Sequence, residues 1–143
     1  VISSYYYLNQ KCRTMAEMIP YLVFPGTCKE AMKFYAQVLN GEIITMKTFS
    51  DSPIEVPNDY QNRIFDSELN AEKIRIKASD DLPNNSVTIG NNISLFLSFT
   101  DKAFREEVFK KLSESGKILF PLEKDFGMVK DKFDIQWMLV TDH

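Results

Sequence analysis

The sequence has a single histidine, His143, and it is the final residue. Histidine metal sites, Ser-His-Asp triads and Cys-His pairs all need an imidazole held in place, so these chemistries lack their central group. Cysteine is nearly as scarce. Cys12 and Cys28 make no disulfide framework, and a reducing cytoplasm is the expected compartment. No apolar run approaches the ~18 residues of a membrane-crossing helix, and no segment reads as a secretion signal. Positive charge is not in excess either. A net charge of −3 excludes a broad electrostatic footprint for nucleic acid, though not a small local basic patch.

What is present is globular composition: 143 residues, 44% hydrophobic and 26% charged, enough for one domain with one hydrophobic core. Aromatics reach 13%, with eleven Phe, which suits an apolar pocket better than a catalytic cluster. Residues 1–17 read as an N-terminal extension. The chain opens on Val1, Met15-Ala16-Glu17-Met18 resembles a natural start, and 1–14 is set aside as upstream or non-native sequence. Its Tyr5-Tyr6-Tyr7 run is read as a tail ordered by packing, with docking on a partner as the other reading.

From residue 18 onward a plan repeats. Ile19–Phe24 reads as a strand broken by Pro25-Gly26. Thr27 and Glu30 have capping-box spacing, and Cys28, Met32, Tyr35 and Leu39 follow at helical spacing. Asn40-Gly41 ends that helix, and Glu42–Phe49 is a second strand. About 75 residues later the order returns. Ile93–Phe99 alternates at period two, Asp101 is an N-cap, Phe104, Val108 and Leu112 line a helix face, and Gly116 ends the helix before Lys117–Phe120. Asn62–Leu69 with Lys73–Ser79, and Phe126–Lys130 with Asp134–Val140, are expected hairpins. The predicted fold class is therefore α+β, with two βαβββ modules over 18–80 and 91–141 joined by a linker over 81–90. One helix per four-stranded sheet covers one face, so the other face meets a second sheet or encloses a ligand.

Tyr21-Leu22-Val23-Phe24, Glu30-Ala31-Met32-Lys33-Phe34-Tyr35, Asn92-Ile93-Ser94-Leu95, and Phe126-Gly127-Met128-Val129 followed by Asp131-Lys132-Phe133 and Gln136-Trp137-Met138 occur in that order. In this, residues 18–141 resemble the PhnB-like branch of the vicinal oxygen chelate superfamily, the glyoxalase and bleomycin-resistance fold. The resemblance implies curved, mostly antiparallel sheets around a cavity, and a homodimer. In the superfamily's enzymes a divalent metal is held by His, Glu or Gln from the first and last strands. Here those positions carry Ile19 (Pro20 or Tyr21 if the register slips), a residue within Lys77–Ser79, Ser94 and Met138. Hydrocarbon, hydroxyl and thioether groups are poor ligands for hard divalent ions, so no metal is expected. Asp66 stands where the branch often has a third-strand His, and Asp134 where it has Gly. A longer Trp-Gly-containing loop usual before the Phe-Gly-Met string is reduced here to Leu122–Asp125. Some relatives carry 3-demethylubiquinone methyltransferase names. No Gly-rich turn follows a strand to support S-adenosylmethionine, and no cofactor is expected.

Alternation places Tyr21, Val23, Asp66, Ser94, Phe96, Ser98, Gln136 and Met138 on the concave, pocket-lining face. Asp66, with Glu68 beside it, is the one weak catalytic candidate, since a carboxylate in a half-apolar cavity is a potential base. The plainer reading pairs these acids with Arg63 or Arg75 on a wet strand face. Cys28 reads as an activated thiol at a helix N-terminus or as a buried structural residue, with the apolar stripe favouring the second. Trp137 is expected to pack on a helix, and the run Lys102, Arg105, Glu106, Glu107, Lys110, Lys111 to face water. Three functional readings stand: a cytoplasmic small-molecule-binding protein without a fixed metal; a lyase, dioxygenase or isomerase on a small oxygenated substrate; and a dimeric interaction module with no ligand. No nucleic-acid or membrane partner is expected.

Overall fold

The periodicities translate into twelve short elements, and the computed structural model describes them over residues 16–142. The Tyr5–Tyr7 run, Cys12 and His143 lie outside the described residues. The first module holds β1 (Tyr21–Phe24), α1 (Cys28–Leu39), β2 (Glu42–Thr48), β3 (Ile64–Ala71) and β4 (Ile74–Asp80). Two single-turn 3₁₀ segments, Phe49–Asp51 and Asn58–Tyr60, interrupt the loop before β3. The second module holds β5 (Leu95–Phe99), α2 (Lys102–Ser113), β6 (Lys117–Phe120), β7 (Phe126–Lys130) and β8 (Gln136–Thr141).

Each module forms its own four-stranded sheet, and the orders match: β1-β4-β3-β2 and β5-β8-β7-β6. The first strand of each module pairs parallel with the last, and the other neighbours pair antiparallel. This is the expected α+β, twice-βαβββ architecture, with neither sheet closed. Among the described residues no helix is long and apolar enough to cross a membrane.

Both helices press on one face of their sheets, and the modules share one core. Cys28, Ala31, Met32, Tyr35, Val38 and Leu39 of α1 are buried, as are Val108, Phe109 and Leu112 of α2. Trp137 is buried with them and meets the Tyr35 ring at 5.3 Å, so it packs on a helix as expected. Phe133, in the turn after β7, packs on Phe24, Phe34 and Tyr35 of the first module.

Two local expectations are corrected, the Thr27 cap and the exposure of Arg105. Thr27 makes no side-chain cap; the Cys28 amide instead donates to Asp80 Oδ1 at 2.9 Å, so the end of β4 caps α1. Asp101, by contrast, caps α2 by accepting from the Ala103 and Phe104 amides. The glycines after the helices do not supply the left-handed turn. Asn40 (φ 54°) and Ser115 (φ 58°) do that, and Gly41 and Gly116 are fixed by close approach. A Cβ on Gly116 would stand 2.5 Å from the Lys130 carbonyl oxygen. Arg105 leaves the predicted wet face of α2 altogether. It is 1% exposed, and its Nη2 donates to the carbonyls of Glu123 and Lys124, tying the short loop before β7 to the helix.

Candidate functional site

The sheet faces turned away from the helices carry opposite chemistry. Register aligns Phe96, Met138, Met128 and Phe120 in one row across the second sheet. The matching row of the first sheet is Tyr21, Lys77, Glu68 and Thr45. Lys77 Nζ lies 3.6 Å from Asp66 Oδ1 and 3.9 Å from Glu68 Oε1. Arg75 donates to Glu68 at 3.1 Å and Glu17 at 3.0 Å, and these bonds push its pKa above the ordinary arginine value. Arg63 turns elsewhere, pairing with Asp81 at 2.6 Å and stacking on Tyr60. The acids therefore sit in a partly wet ion-pair network, with Lys77 rather than Arg63 as the neighbour of Asp66.

Between the modules opens a cleft of about 650 Å³. Tyr21, Leu22 and Val23 line it from β1, Pro25 and Thr27 from the entry to α1, and Lys132–Gln136 from the turn into β8. Ile93, Leu95 and linker residues 85–90 complete the wall. The linker is tethered at both ends. Asp81 accepts from the Val87 amide at 3.3 Å, and Gln136 Nε2 donates to the carbonyls of Asn91 and Ile93, each at 3.2 Å. Lys132 lies 4.5 Å above the Phe34 ring, and Asp134 beside it holds a left-handed backbone at φ 69°.

Of the residues predicted to line a pocket, the cleft gathers Tyr21, Val23 and Gln136. Ser94 adjoins it, accepting from Gln136 Nε2 at 3.3 Å. Asp66, Phe96, Ser98 and Met138 are not part of it. Phe96 stands 61% exposed on the open sheet face.

The donors at the superfamily's metal positions do not fit a hard divalent ion. Ile19 offers hydrocarbon, and the Pro20 carbonyl already accepts from the Lys77 amide. Tyr21 is half-exposed, Lys77 is itself a cation, Ala78 offers hydrocarbon and Ser79 a buried hydroxyl, Ser94 Oγ is engaged, and Met138 offers a thioether. Among the described residues no three His, Cys, Asp or Glu side chains stand close enough to share an ion. Cys28 is not an activated thiol either. Burial pushes its pKa up to about 12, the Asp80 charge adds to this, and the Ser67 hydroxyl 3.6 Å away only partly opposes it.

Sequence reasoning missed the two aspartates that set this geometry. Asp80 accepts from the Cys28 and Ile64 amides. Asp131 accepts from Tyr35 Oη, Trp137 Nε1 and the Phe133 and Ile135 amides, and so fixes the turn that carries Lys132 to Gln136. Its bond to the amide two residues on is an Asx turn, a signal that Asp131-Lys132-Phe133 did carry.

Comparison with known proteins agrees with this architecture. The family model described as 3-demethylubiquinone-9 3-methyltransferase matches residues 16–140. Protein YjdN of Escherichia coli strain K12 is 28% identical over 134 residues, spanning 84% of this chain and 91% of that protein. The crystal structure of protein PA1353 from Pseudomonas aeruginosa superposes with a TM-score of 0.82 at 32% identity, over 90% of this chain and 98% of that one. The fosfomycin resistance protein FosX of Listeria monocytogenes, at 8% identity and a TM-score of 0.64 over 91% of this chain and 93% of that one, shares the fold.

Proposed function

This chain belongs to the 3-demethylubiquinone-9 3-methyltransferase family, in the PhnB-like branch of the vicinal oxygen chelate superfamily, and from that premise we propose that it is a small-molecule-binding protein. The cleft between the modules carries this reading. Its volume of about 650 Å³ lies within the ~300–1,000 Å³ of ordinary ligand sites. Its walls combine apolar surface from Leu22, Val23, Ile93, Leu95 and Ile135 with polar groups that include Thr27, Asn92, Lys132, Asp134 and Gln136. The reading holds no fixed metal, because the donor chemistry at the superfamily positions is wrong for one. It includes no S-adenosylmethionine step, because the five glycines are scattered and none builds a Gly-rich turn.

Two further parts belong to this reading. The first is a cytoplasmic location, which suits the unpaired, buried Cys28. The second is a homodimer. Tyr21, Phe96 and Phe120 are each more than half exposed on sheet faces that neither α1 nor α2 covers, and a second copy is the commonest cover for such a surface.

Native mass spectrometry of protein purified without added ligand, followed by thermal-shift screening, tests the binding. A retained small molecule, or a compound that raises the melting temperature in proportion to its concentration, is expected. No retained mass and no stabilising compound across a broad library would refute it. A stoichiometric divalent ion that survives dialysis would overturn the metal-free part alone.

A further inference from the structure

Gln136 is only 7% exposed, yet it lines the cleft. Its Nε2 is committed to the carbonyls of Asn91 and Ile93 and to Ser94 Oγ, at 3.2, 3.2 and 3.3 Å. These partners fix which way the amide points. Turning it over would set Oε1 against two carbonyl oxygens, acceptor facing acceptor. Oε1 is therefore an acceptor of set orientation. Among the described residues no donor reaches it, and the only sealed side-chain polar atoms without a partner there are Arg105 Nε and Nη1. Gln136 Oε1 is thus an acceptor without a partner among the described residues, in a wall where Val23, Ile93, Leu95 and Ile135 supply apolar surface beside Lys132 and Asp134.

We propose that the cleft selects ligands carrying an N–H or O–H donor on an apolar body, with Gln136 Oε1 as the specificity-determining acceptor. This rests on the cleft being the binding site. A ligand of the same shape without the donor would strip water from Oε1 and return nothing, whereas a donor replaces that water. Because Asn91, Ile93 and Ser94 already hold the amide, no ordering of it is needed when the ligand arrives.

The probes are 2-naphthol and 2-methoxynaphthalene, which share an apolar body and differ in the O–H donor. Fluorescence titration of the full chain should show 2-naphthol binding about fivefold tighter or more, the range that one net hydrogen bond supplies. Gln136→Met should abolish the preference. Ile135→Ala should weaken both probes and keep their ratio, and Ser94→Ala, which loosens the amide's anchor but spares Oε1, should also keep it. Equal affinities in the unmodified protein, or a preference that survives Gln136→Met, would overturn the assignment while leaving cleft binding in place. The ratio in the unmodified protein decides the matter even if Gln136→Met fails to fold. If neither probe binds, the assignment falls, and the thermal-shift screen decides the cleft reading separately.

Discussion

Tyr35 Oη donates to Asp131 Oδ2 at 2.6 Å, joining residues 96 positions apart and belonging to different modules. The Trp137 indole donates to the same oxygen at 2.8 Å, and two amides take the other. Burial pushes the Tyr35 hydroxyl well above the ordinary tyrosine pKa, and the Asp131 charge beside it adds to the shift. The hydroxyl is thus held as a donor. Asp131→Ala leaves four donors without their acceptor, and should cost about 3–5 kcal/mol in urea unfolding. Tyr35→Phe leaves the carboxylate three donors, and should cost about 1–2 kcal/mol.

The helix starts offer a sharper contrast. Asp80→Ala removes the acceptor for the Cys28 and Ile64 amides together, and should destabilise by about 2 kcal/mol or more. Thr27→Ala should change stability by less than about 0.5 kcal/mol, because its hydroxyl caps nothing. Equal losses from the two substitutions would restore the capping box.

The fold was legible because its signals are local. Alternation in Leu95–Phe99, helical spacing from Cys28 to Leu39 and the Asp101 cap each lie within a dozen residues. What escaped lies between distant segments. The Thr27–Glu30 spacing gave no hint that Asp80, 52 residues from Cys28, takes the cap. Arg105 sits among charges and reads as surface until the Glu123 and Lys124 carbonyls are seen to need it. The site was legible only in part. Parity put Tyr21, Val23 and Gln136 on one face, but the cleft is also made by the linker, whose course no period encodes.

Cys28 should be silent at ordinary pH. With Cys12 replaced by Ser, native protein should show no thiol reactive to a disulfide reagent at pH 8, and one after unfolding. An acid whose folded pKa exceeds its unfolded value keeps its proton in the fold after the unfolded chain has lost it. The contribution of Cys28 is therefore whole below pH 9.0 and drains as pH rises towards about 12, by at most ~1.4 kcal/mol per pH unit. Denaturation curves of Cys28→Ala across that window should fall less steeply than those of the parent chain.

The open sheet faces make the oligomer testable. Sedimentation at micromolar concentration should give a dimer, and Phe96→Glu should shift it towards monomer while leaving the circular dichroism spectrum in place. A monomer for the parent chain would mean that these faces stay uncovered.

Gly116→Ala tests close approach against turn geometry. The new methyl would meet backbone rather than a flexible side chain, so β7 must shift, and a loss of about 1–3 kcal/mol is expected. Ser115→Gly, at the left-handed position, should instead be neutral or mildly stabilising.

One buried cluster runs from Phe24 and Met32 through Tyr35 to Trp137 and Leu139, without a seam between the modules. Architecture and cooperativity therefore divide the chain differently. A doubled plan invites the thought of two halves melting in turn, yet opening either half strips apolar surface from the other. Calorimetric and spectroscopic transitions should coincide as one all-or-none event, with no half-folded species accumulating.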